Sequence, residues 1–319
     1  MHPAFSVIFF TSVSGAGYGL LFLASLLLAI DPGLLDRQQT LTLIVAGALF
    51  AAAGLTSSML HLGKPLRAWR AFSQWRSSWL SREGVAALAG FVPTGVLALC
   101  VWRGSAEMCL RALAVVVALF AVLTVYCTAR IYTSLKTIPA WHQGLVLPGY
   151  LLFALLGGAA WMWALFAMLN AENPLASTDI PMLVAFAAAA CALIKREYWQ
   201  SIDTAAATAT AESATGLGRF GNVHGVEAPH TEENYLTQEM GFVLARKHAA
   251  RLRVVALVLF AVLPVAAAIA ALVFATPAAK IGGAAVAMLG VTAGTFVERW
   301  LFFAEAKHVV MLYYGAARS

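Results

Sequence analysis

Long apolar runs alternate with short polar stretches along most of the chain. Eight of these runs are long enough, at roughly 20 residues, to cross a bilayer as helices. They are Ala4–Ile30, Gln39–His61, Glu83–Trp102, Leu110–Ala129, Leu145–Asn170, Ile180–Trp199, Arg253–Ala275 and Ile281–Phe303. The pattern predicts an all-α integral membrane protein, a helical bundle of eight transmembrane helices that forms a single polytopic domain over residues 1–319.

The sixth run is the weakest of the eight. Its uncharged part ends at Ile194, directly before Lys195-Arg196-Glu197. Long basic side chains near a helix end can extend to the membrane surface, where Tyr198 and Trp199 would form an aromatic belt. We therefore expect these basic side chains to point out of the membrane.

Composition supports the membrane fold and excludes an ordinary soluble domain. Of the 319 residues, 61% are hydrophobic and 11% are charged, and the mean hydropathy is +0.80. Soluble domains average about 45–50% apolar and about 25% charged residues. The four cysteines are scattered and form no Cys-x-x-Cys pair. The sequence thus offers no metal site, no iron–sulfur ligand set and no disulfide framework.

Positive charges are unevenly divided between the two ends of the predicted bundle. Most of the 21 Lys and Arg residues lie near the C-terminus or in the loops after the second, fourth and sixth runs. The opposite side carries only Arg37, Arg103, Arg111 and Lys280. The positive-inside rule then places both termini and the three basic loops in the cytoplasm.

The longest polar segment, residues 200–252, lies on the cytoplasmic side of this topology. Its length and its Gly, His and aromatic content are typical of a functional or a disordered loop. We expect it to dock a partner protein, with a free surface loop as the alternative. The docking candidates are Arg219, Phe220, Gly221, Asn222, Tyr235, Arg246, Lys247 and His248.

None of the seven histidines lies in the middle of an apolar run. A b-type haem held between membrane helices needs axial ligands at such positions, so we expect no haem. The sequence also has no clustered cysteines and no glycine-rich dinucleotide motif on a strand. We therefore expect no electron-conducting group on this chain, and no nucleic-acid partner.

Ionisable groups gather where the second and third runs meet the cytoplasmic boundary. Aromatic residues recur every three or four positions in residues 62–82, which predicts an interfacial amphipathic helix. His61 ends one run and Glu83 opens the next, so both are expected to face one cleft. Ordinary helix-end chemistry also explains them, because His61 would lie in a last turn and Glu83 in a first turn capped by Ser81.

Quinone chemistry offers a functional explanation of the same residues. A quinone takes up two electrons and two protons, and its site needs an apolar slot, a hydrogen-bond donor and a titratable group in contact with water. His61 and Glu83 supply the donor and the titratable group. Lys64 and Arg67 would stabilise the anionic forms of a reduced quinone, or else contact lipid phosphates.

Two other features of the apolar runs have both structural and functional interpretations. Gly15, Gly17 and Gly19 in the first run predict close helix packing, or a quinone groove beside them. Glu298-Arg299 lies near the cytoplasmic end of the eighth run. Side chains that reach the membrane surface, together with a local ion pair, explain these two residues about as well as a functional role does.

The motifs at the boundary resemble those of the dimethyl sulfoxide reductase anchor-subunit (DmsC-type) family. The resemblance rests mainly on His61-Leu62-Gly63-Lys64-Pro65-Leu66-Arg67-Ala68. Further matching segments are Ser81–Glu83, Ala129–Tyr132, Ile138–Trp141, Pro229–Thr231, Asn234-Tyr235 and Glu298–His308. It implies a complex with a molybdopterin catalytic subunit and an iron–sulfur ferredoxin-like subunit. It also implies that His61 and Glu83 belong to a site for quinone, either ubiquinone or menaquinone.

Within this family, the cytoplasmic charge pattern is similar to that of anchors of membrane-bound sulfite dehydrogenases (SoeC-type). The resemblance then implies electron transfer from cytoplasmic sulfite to quinone, with this chain inactive alone. One alternative is the anchor of a DMSO or other S- or N-oxide reductase that oxidises menaquinol. The others are a purely structural anchor and a small-solute transporter, although a transporter would carry midplane charges in matching halves.

Overall fold

Eight long helices form a bundle in the computed structural model of this chain, which describes residues 4–61, 64–169, 173–205, 209–224, 226–227 and 244–314. The side chains of residues 61, 65 and 244–247 are not among those described. The helices are α1 (Phe5–Ile30), α2 (Arg37–Ser58), α3 (Trp79–Arg103), α4 (Glu107–Thr133), α5 (Val146–Met168), α6 (Asp179–Thr204), α7 (Leu244–Leu257, continuing to Phe274) and α8 (Pro277–Ala304).

Two of these helices contain a π-helical segment. In α1 it covers Phe10–Ser14, and in α7 it covers Val258–Val262, after which the helix continues as Leu263–Phe274. Single π-helical turns inside α-helices are rare and are frequently found at functional sites. The π-helical segment in α1 is therefore a candidate part of a functional site.

The prediction of an all-helical membrane protein is confirmed, because each predicted apolar run overlaps one of the eight helices. Within the described ranges, seven helices are long and apolar enough to cross a membrane. The helix outside this group is α6, which has charged residues towards both ends. It is nevertheless 26 residues long and packs against α5 and α7.

Glycines allow α1 to pack closely against its neighbours. A Cβ atom on Gly19 would overlap the backbone oxygen of Ala154 in α5, and one on Gly17 would lie 2.7 Å from the backbone oxygen of Gly47 in α2. The close-packing prediction is thus confirmed for these two glycines. Gly15 differs, since a Cβ there would meet nothing within 4 Å.

The substitution Gly19→Ala is expected to destabilise the protein by about 1–3 kcal/mol, because the added methyl group forces α1 away from α5. The matched control is Gly95→Ala at an exposed position of α3 with open space around it. That change should stabilise the protein by about 0.5–1 kcal/mol through helix propensity. Chemical unfolding of both variants in detergent micelles measures the difference, and equal effects would contradict the packing argument.

The start of α3 differs from the sequence-based expectation. A 3₁₀-helix covers only Pro65–Gln74, whereas an amphipathic helix was expected over 62–82. The helix α3 begins at Trp79, and its N-cap is Ser78, whose hydroxyl accepts from the Ser81 amide at 3.4 Å. The prediction of Ser81 as the cap is therefore wrong, and Glu83 lies beyond the first turn, where the helix dipole is weak.

Candidate functional site

Glu83 is buried on the face of α3 that meets α4. Its side chain is embedded in the bundle, with the residue 3% exposed, and the Thr128 hydroxyl of α4 donates a hydrogen bond to Glu83 Oε1. The two residues meet because residues 104–106 join α3 to α4 as a hairpin. Glu83 lies near the start of α3 and Thr128 near the end of α4, so both are close to the same end of the bundle.

Glu83 has no ion-pair partner in the part of the chain that the structure describes. Tyr18 of α1, Tyr132 of α4 and Tyr150 of α5 lie within electrostatic range of its carboxyl group. An ionisable residue inside a membrane protein is costly and normally marks a functional pathway. The surroundings of Glu83 therefore favour the functional explanation of this residue.

The other predicted quinone residues are His61, Lys64 and Arg67. His61 lies in the 3₁₀ turn Met59–His61 after α2, and its side chain is outside the described residues. This turn contacts both Phe5–Phe9 of α1 and Pro65–Gln74. Lys64 and Arg67 are exposed. Their assignment to a quinone site stays a prediction.

The interfacial 3₁₀-helix packs directly beside Glu83. A Cβ atom on Gly84 would lie 2.6 Å from the ring of Phe72, so only glycine leaves room for this ring against α3. Arg82 anchors the following turn, because its guanidinium donates to the backbone oxygens of Trp75 at 3.0 Å and Arg76 at 2.6 Å. The segment after His61 is thereby attached to the helix that carries Glu83.

A narrow polar cavity lies on the other side of Thr128. Its volume is about 10 Å³, which is enough for about one water molecule. The polar side chains along it come from α1, α4, α5 and α8, and they include Ser12, Tyr18, Thr128, Tyr150, Thr295 and Arg299. The cavity therefore links the hydrogen-bond donor of Glu83 to a buried arginine.

Glu298 and Arg299 form a buried ion cluster together with Lys195 of α6. Lys195 Nζ lies 2.7 Å from Glu298 Oε1, and Arg299 Nε lies 3.2 Å from Glu298 Oε2. The three residues Lys195, Glu298 and Arg299 are only 5%, 1% and 3% exposed, respectively. The expectation that Lys195 extends to the membrane surface is wrong, as is the surface explanation of Glu298-Arg299, because the Glu298 carboxylate pairs with both cations inside the bundle. The local ion pair between Glu298 and Arg299 is confirmed.

Aromatic rings complete the surroundings of the two cations in this cluster. Lys195 Nζ lies 3.7 Å from the ring centroid of Tyr198, and the Arg299 guanidinium lies 3.9 Å from that of Tyr150. Such cation–π contacts stabilise a desolvated charge. Tyr198 and Trp199 are themselves buried, so the predicted aromatic belt at the membrane surface is not formed by these residues.

A second ion cluster ties three helices together at the same end of the bundle. Arg253 of α7 contacts Asp203 of α6 at 2.5 Å and Glu305, just after α8, at 2.8 Å. Burial raises the pKa of the Glu305 carboxyl, and the charge of Arg253 counteracts this effect. The cluster holds together the helices on either side of the long polar segment, residues 200–252.

The first part of the long polar segment 200–252 is folded and exposed. The 3₁₀-helix Leu217–Phe220 carries Arg219, whose guanidinium lies 4.7 Å from the Phe220 ring centroid. Both side chains are exposed to solvent, and the following residues Gly221 and Asn222 are exposed as well. The Glu212 carboxylate accepts from the Val223 amide at 3.2 Å and closes this fold. Backbone amides and the Thr210 hydroxyl hold the pKa of Glu212 below its usual range.

The remaining docking candidates are described only in part. His248 is exposed in α7, whereas Tyr235 and the side chains of Arg246 and Lys247 lie outside the described residues. The exposure of Arg219 and Phe220 agrees with a docking role, which stays a prediction.

Two features of the site are absent from the sequence-based prediction. Thr128 is the partner of Glu83, and its only signal is the spacing of Thr124 and Thr128 in an otherwise apolar run. The pairing of Lys195 with Glu298 joins residues that are 103 positions apart, and each charge on its own resembles an ordinary helix-end residue. A single sequence carries no direct signal for such a contact.

Comparisons with known proteins agree with these motifs. The family model for the DMSO reductase anchor subunit (DmsC) matches residues 1–315. The C subunit of the sulfite dehydrogenase of Allochromatium vinosum is 33% identical, over 98% of this chain and 99% of that protein. The C subunit of the anaerobic dimethyl sulfoxide reductase of Escherichia coli is 28% identical over 49% of this chain and 54% of its own length. The corresponding subunit of Haemophilus influenzae is 24% identical over 59% of this chain and 67% of its own length.

Proposed function

Since this chain belongs to the DMSO reductase anchor subunit (DmsC) family, we propose that it is the membrane anchor and quinone-reactive subunit of a molybdopterin and iron–sulfur oxidoreductase. In this proposal the complex oxidises sulfite in the cytoplasm and reduces quinone in the inner membrane. The observation that carries the proposal is the similarity to the C subunit of a sulfite dehydrogenase along 98% of the chain.

The proposed topology has eight membrane spans, with both termini in the cytoplasm. The length of α6 supports its inclusion, because 26 residues extend about 39 Å at 1.5 Å per residue. The buried cation Lys195 is compatible with a span, since it pairs with Glu298 within the bundle. The unequal distribution of Lys and Arg residues supports the orientation.

The proposed reaction consists of two half-reactions, one on the catalytic subunit and one on this chain, that exchange two electrons through the iron–sulfur subunit. On the catalytic partner, sulfite and water yield sulfate, two protons and two electrons. The electrons pass through the iron–sulfur subunit to the cytoplasmic end of this chain, where a quinone takes up two electrons and two protons to become a quinol. The residues of this chain therefore bind the ring, exclude water from it and deliver protons.

Glu83 is the proposed proton donor to a quinone oxygen. The Thr128 hydroxyl holds Oε1 of the carboxyl group and orients the other oxygen, while the narrow polar cavity beside Thr128 has room for about one water molecule that would relay a proton. His61 is proposed as the second donor, at the end of α2. Lys64 and Arg67, exposed beyond it, would contribute positive charge that favours the reduced, anionic forms.

The iron–sulfur subunit is proposed to dock on the cytoplasmic loop. Arg219 and Phe220 are exposed basic and aromatic side chains of the kind that protein interfaces often use, and Gly221 and Asn222 are exposed beside them. Tyr235, Arg246, Lys247 and His248 are the other proposed docking residues. The Arg253 cluster holds the helix ends on either side of this loop together.

The whole complex, reconstituted into liposomes, is expected to reduce quinone with sulfite and to generate little membrane potential. Proton uptake and electron entry share the cytoplasmic side in this arrangement, so no net charge crosses the membrane. A potential-sensitive dye and the absorbance of quinol measure the two quantities together. Sulfite-driven potential would contradict the one-sided arrangement, and absence of sulfite-dependent quinol would contradict the proposed substrate.

The best-supported alternative is the reverse electron flow, from menaquinol to a DMSO-type oxide. The relatives that favour it are the C subunits of two dimethyl sulfoxide reductases, which match about half of this chain. The same purified complex distinguishes the two, when it is assayed with sulfite plus quinone and with menaquinol plus DMSO. A transporter would instead move its solute when this chain is purified alone.

A further inference from the structure

An apolar cavity of about 310 Å³ lies between α1, α2, α5 and α8. Its lining includes two edge-to-face aromatic pairs. Phe50 and Trp161 have ring centroids 4.7 Å apart, and Phe9 and Phe296 have centroids 6.0 Å apart. The volume falls in the range of small-molecule sites, and aromatic walls of this kind suit a flat apolar ring.

The cavity opens on the outer surface of the bundle. Ala53 lines it and is exposed on α2, five residues before that helix ends at Ser58. In a chain of this class the outer surface of an apolar helix faces lipid. A molecule dissolved in the membrane can therefore enter past Ala53 without crossing water.

The inner end of the cavity is polar. Ser12 of α1 and Thr295 of α8, each 7% exposed, line both this cavity and the narrow polar cavity beside Thr128. Neither hydroxyl has a hydrogen-bond partner among the described residues, although buried hydroxyls are normally paired. Ser12 also lies within the π-helical segment Phe10–Ser14, the type of local distortion that recurs at functional sites.

We infer that this cavity holds the ring of the quinone, with Ser12 and Thr295 donating hydrogen bonds to its carbonyl oxygens. This inference rests on the proposed function and specifies where the ring lies. An acyl chain would fill the apolar part equally well, but it offers no acceptor to the two hydroxyls. A quinone has both an apolar ring and two carbonyl acceptors.

The position of the cavity also suits proton delivery. Ser12, Thr295 and Thr128 all line the narrow polar cavity, and Thr128 is hydrogen-bonded to Glu83. Ser12 lies seven residues from the start of α1, about 10 Å along the helix. The ring is thus held within the bundle near its cytoplasmic end, beside the chain of polar groups that leads to Glu83.

Photolabelling of the intact complex with a photoreactive azidoquinone tests the inference. Peptide mapping is expected to find the label in one of the four segments that line the cavity, which are residues 9–16 of α1, 50–53 of α2, 153–161 of α5 and 291–296 of α8. Excess unlabelled quinone should displace it. Displaceable label confined to other segments of this chain, such as Pro65–Gln74, would overturn the cavity assignment and leave the proposed function standing. Absence of displaceable label anywhere on this chain would overturn both.

Substitutions test the same inference independently of labelling. Ala53→Phe fills the mouth of the cavity and should raise the KM for quinone at least about tenfold. The matched control is Leu49→Phe, one helical turn away. Leu49 is 62% exposed and does not line the cavity, so this change should leave the KM for quinone unchanged. Ser12→Ala and Thr295→Val each remove one donor and should raise the KM about 2- to 10-fold. Dye-linked sulfite oxidation should stay constant in all four variants, and an unchanged KM in Ala53→Phe would overturn the inference.

Discussion

Quinone reduction by the assembled complex is expected to fall about 10²-fold or more when Glu83 is replaced by glutamine. Glutamine has nearly the same shape, and its amide oxygen can still accept the Thr128 hydrogen bond, but it cannot give up and regain a proton. Positioned acid–base groups contribute about 10²–10⁴-fold to a rate. The measurement is sulfite-dependent quinol formation in membranes that contain the whole complex.

Two controls separate proton delivery by Glu83 from its contribution to structure. Dye-linked sulfite oxidation should remain at the wild-type level in Glu83→Gln, since the dye takes electrons from the partner subunits. Thr128→Val removes the hydrogen-bond donor but keeps the carboxyl group, so its effect should be smaller, about 2- to 10-fold. Wild-type quinone turnover in Glu83→Gln would favour a purely structural anchor.

The exposed residues near His61 provide a comparison within the same assay. His61→Ala is expected to reduce quinone turnover, as Glu83→Gln does, because His61 and Glu83 are both proposed proton donors. Lys64 and Arg67 are exposed, so their replacement by alanine should have a weaker effect that fades at high salt. A strong, salt-independent loss in either basic variant would mean that these residues bind the ring directly.

The second large effect concerns stability. Glu298→Gln is expected to lower the free energy of unfolding by about 3–5 kcal/mol, because it leaves the cations of Lys195 and Arg299 buried without their anion. Chemical unfolding of the purified chain in mixed detergent micelles measures this change. The variant should also give a lower yield of assembled complex in the membrane.

Lys195→Met is the matched control for the buried cluster. It removes one cation, but it leaves the 3.2 Å pair between Arg299 and Glu298 in place and keeps an apolar side chain of similar length. We therefore expect a clearly smaller loss of stability than in Glu298→Gln. Equal losses in the two variants would indicate that the packing of α6 against α8, rather than charge balance, explains the effect.

Most of the helical framework could be predicted from the sequence. The apolar runs coincide with α1–α8 to within about four residues, except at the end of α6 and the start of α7, where the helices extend further beyond the runs. Gly17 and Gly19 were correctly interpreted as packing positions. The identity of Glu83 as a candidate was also accessible, because a carboxyl group at the edge of an apolar run requires an explanation.

The surroundings of the site were less predictable. Ser81 has the right chemistry for an N-cap, but the chain already turns into α3 at Ser78, so Glu83 moves into the interior and meets Thr128. Lys195 has the right position to reach the membrane surface, yet Glu298 lies 2.7 Å from it on another helix. In both cases a local rule was overridden by a contact with a distant segment.

The apolar runs are enough to predict that this chain forms membrane-spanning helices, because an apolar run of bilayer length can pair its backbone groups only within a helix. The packing of the helices selects which polar side chains turn inward and which of them meet. That choice depends on how α1, α4, α5 and α8 pack around one another, and a pattern within any single helix cannot reveal the partner that faces it.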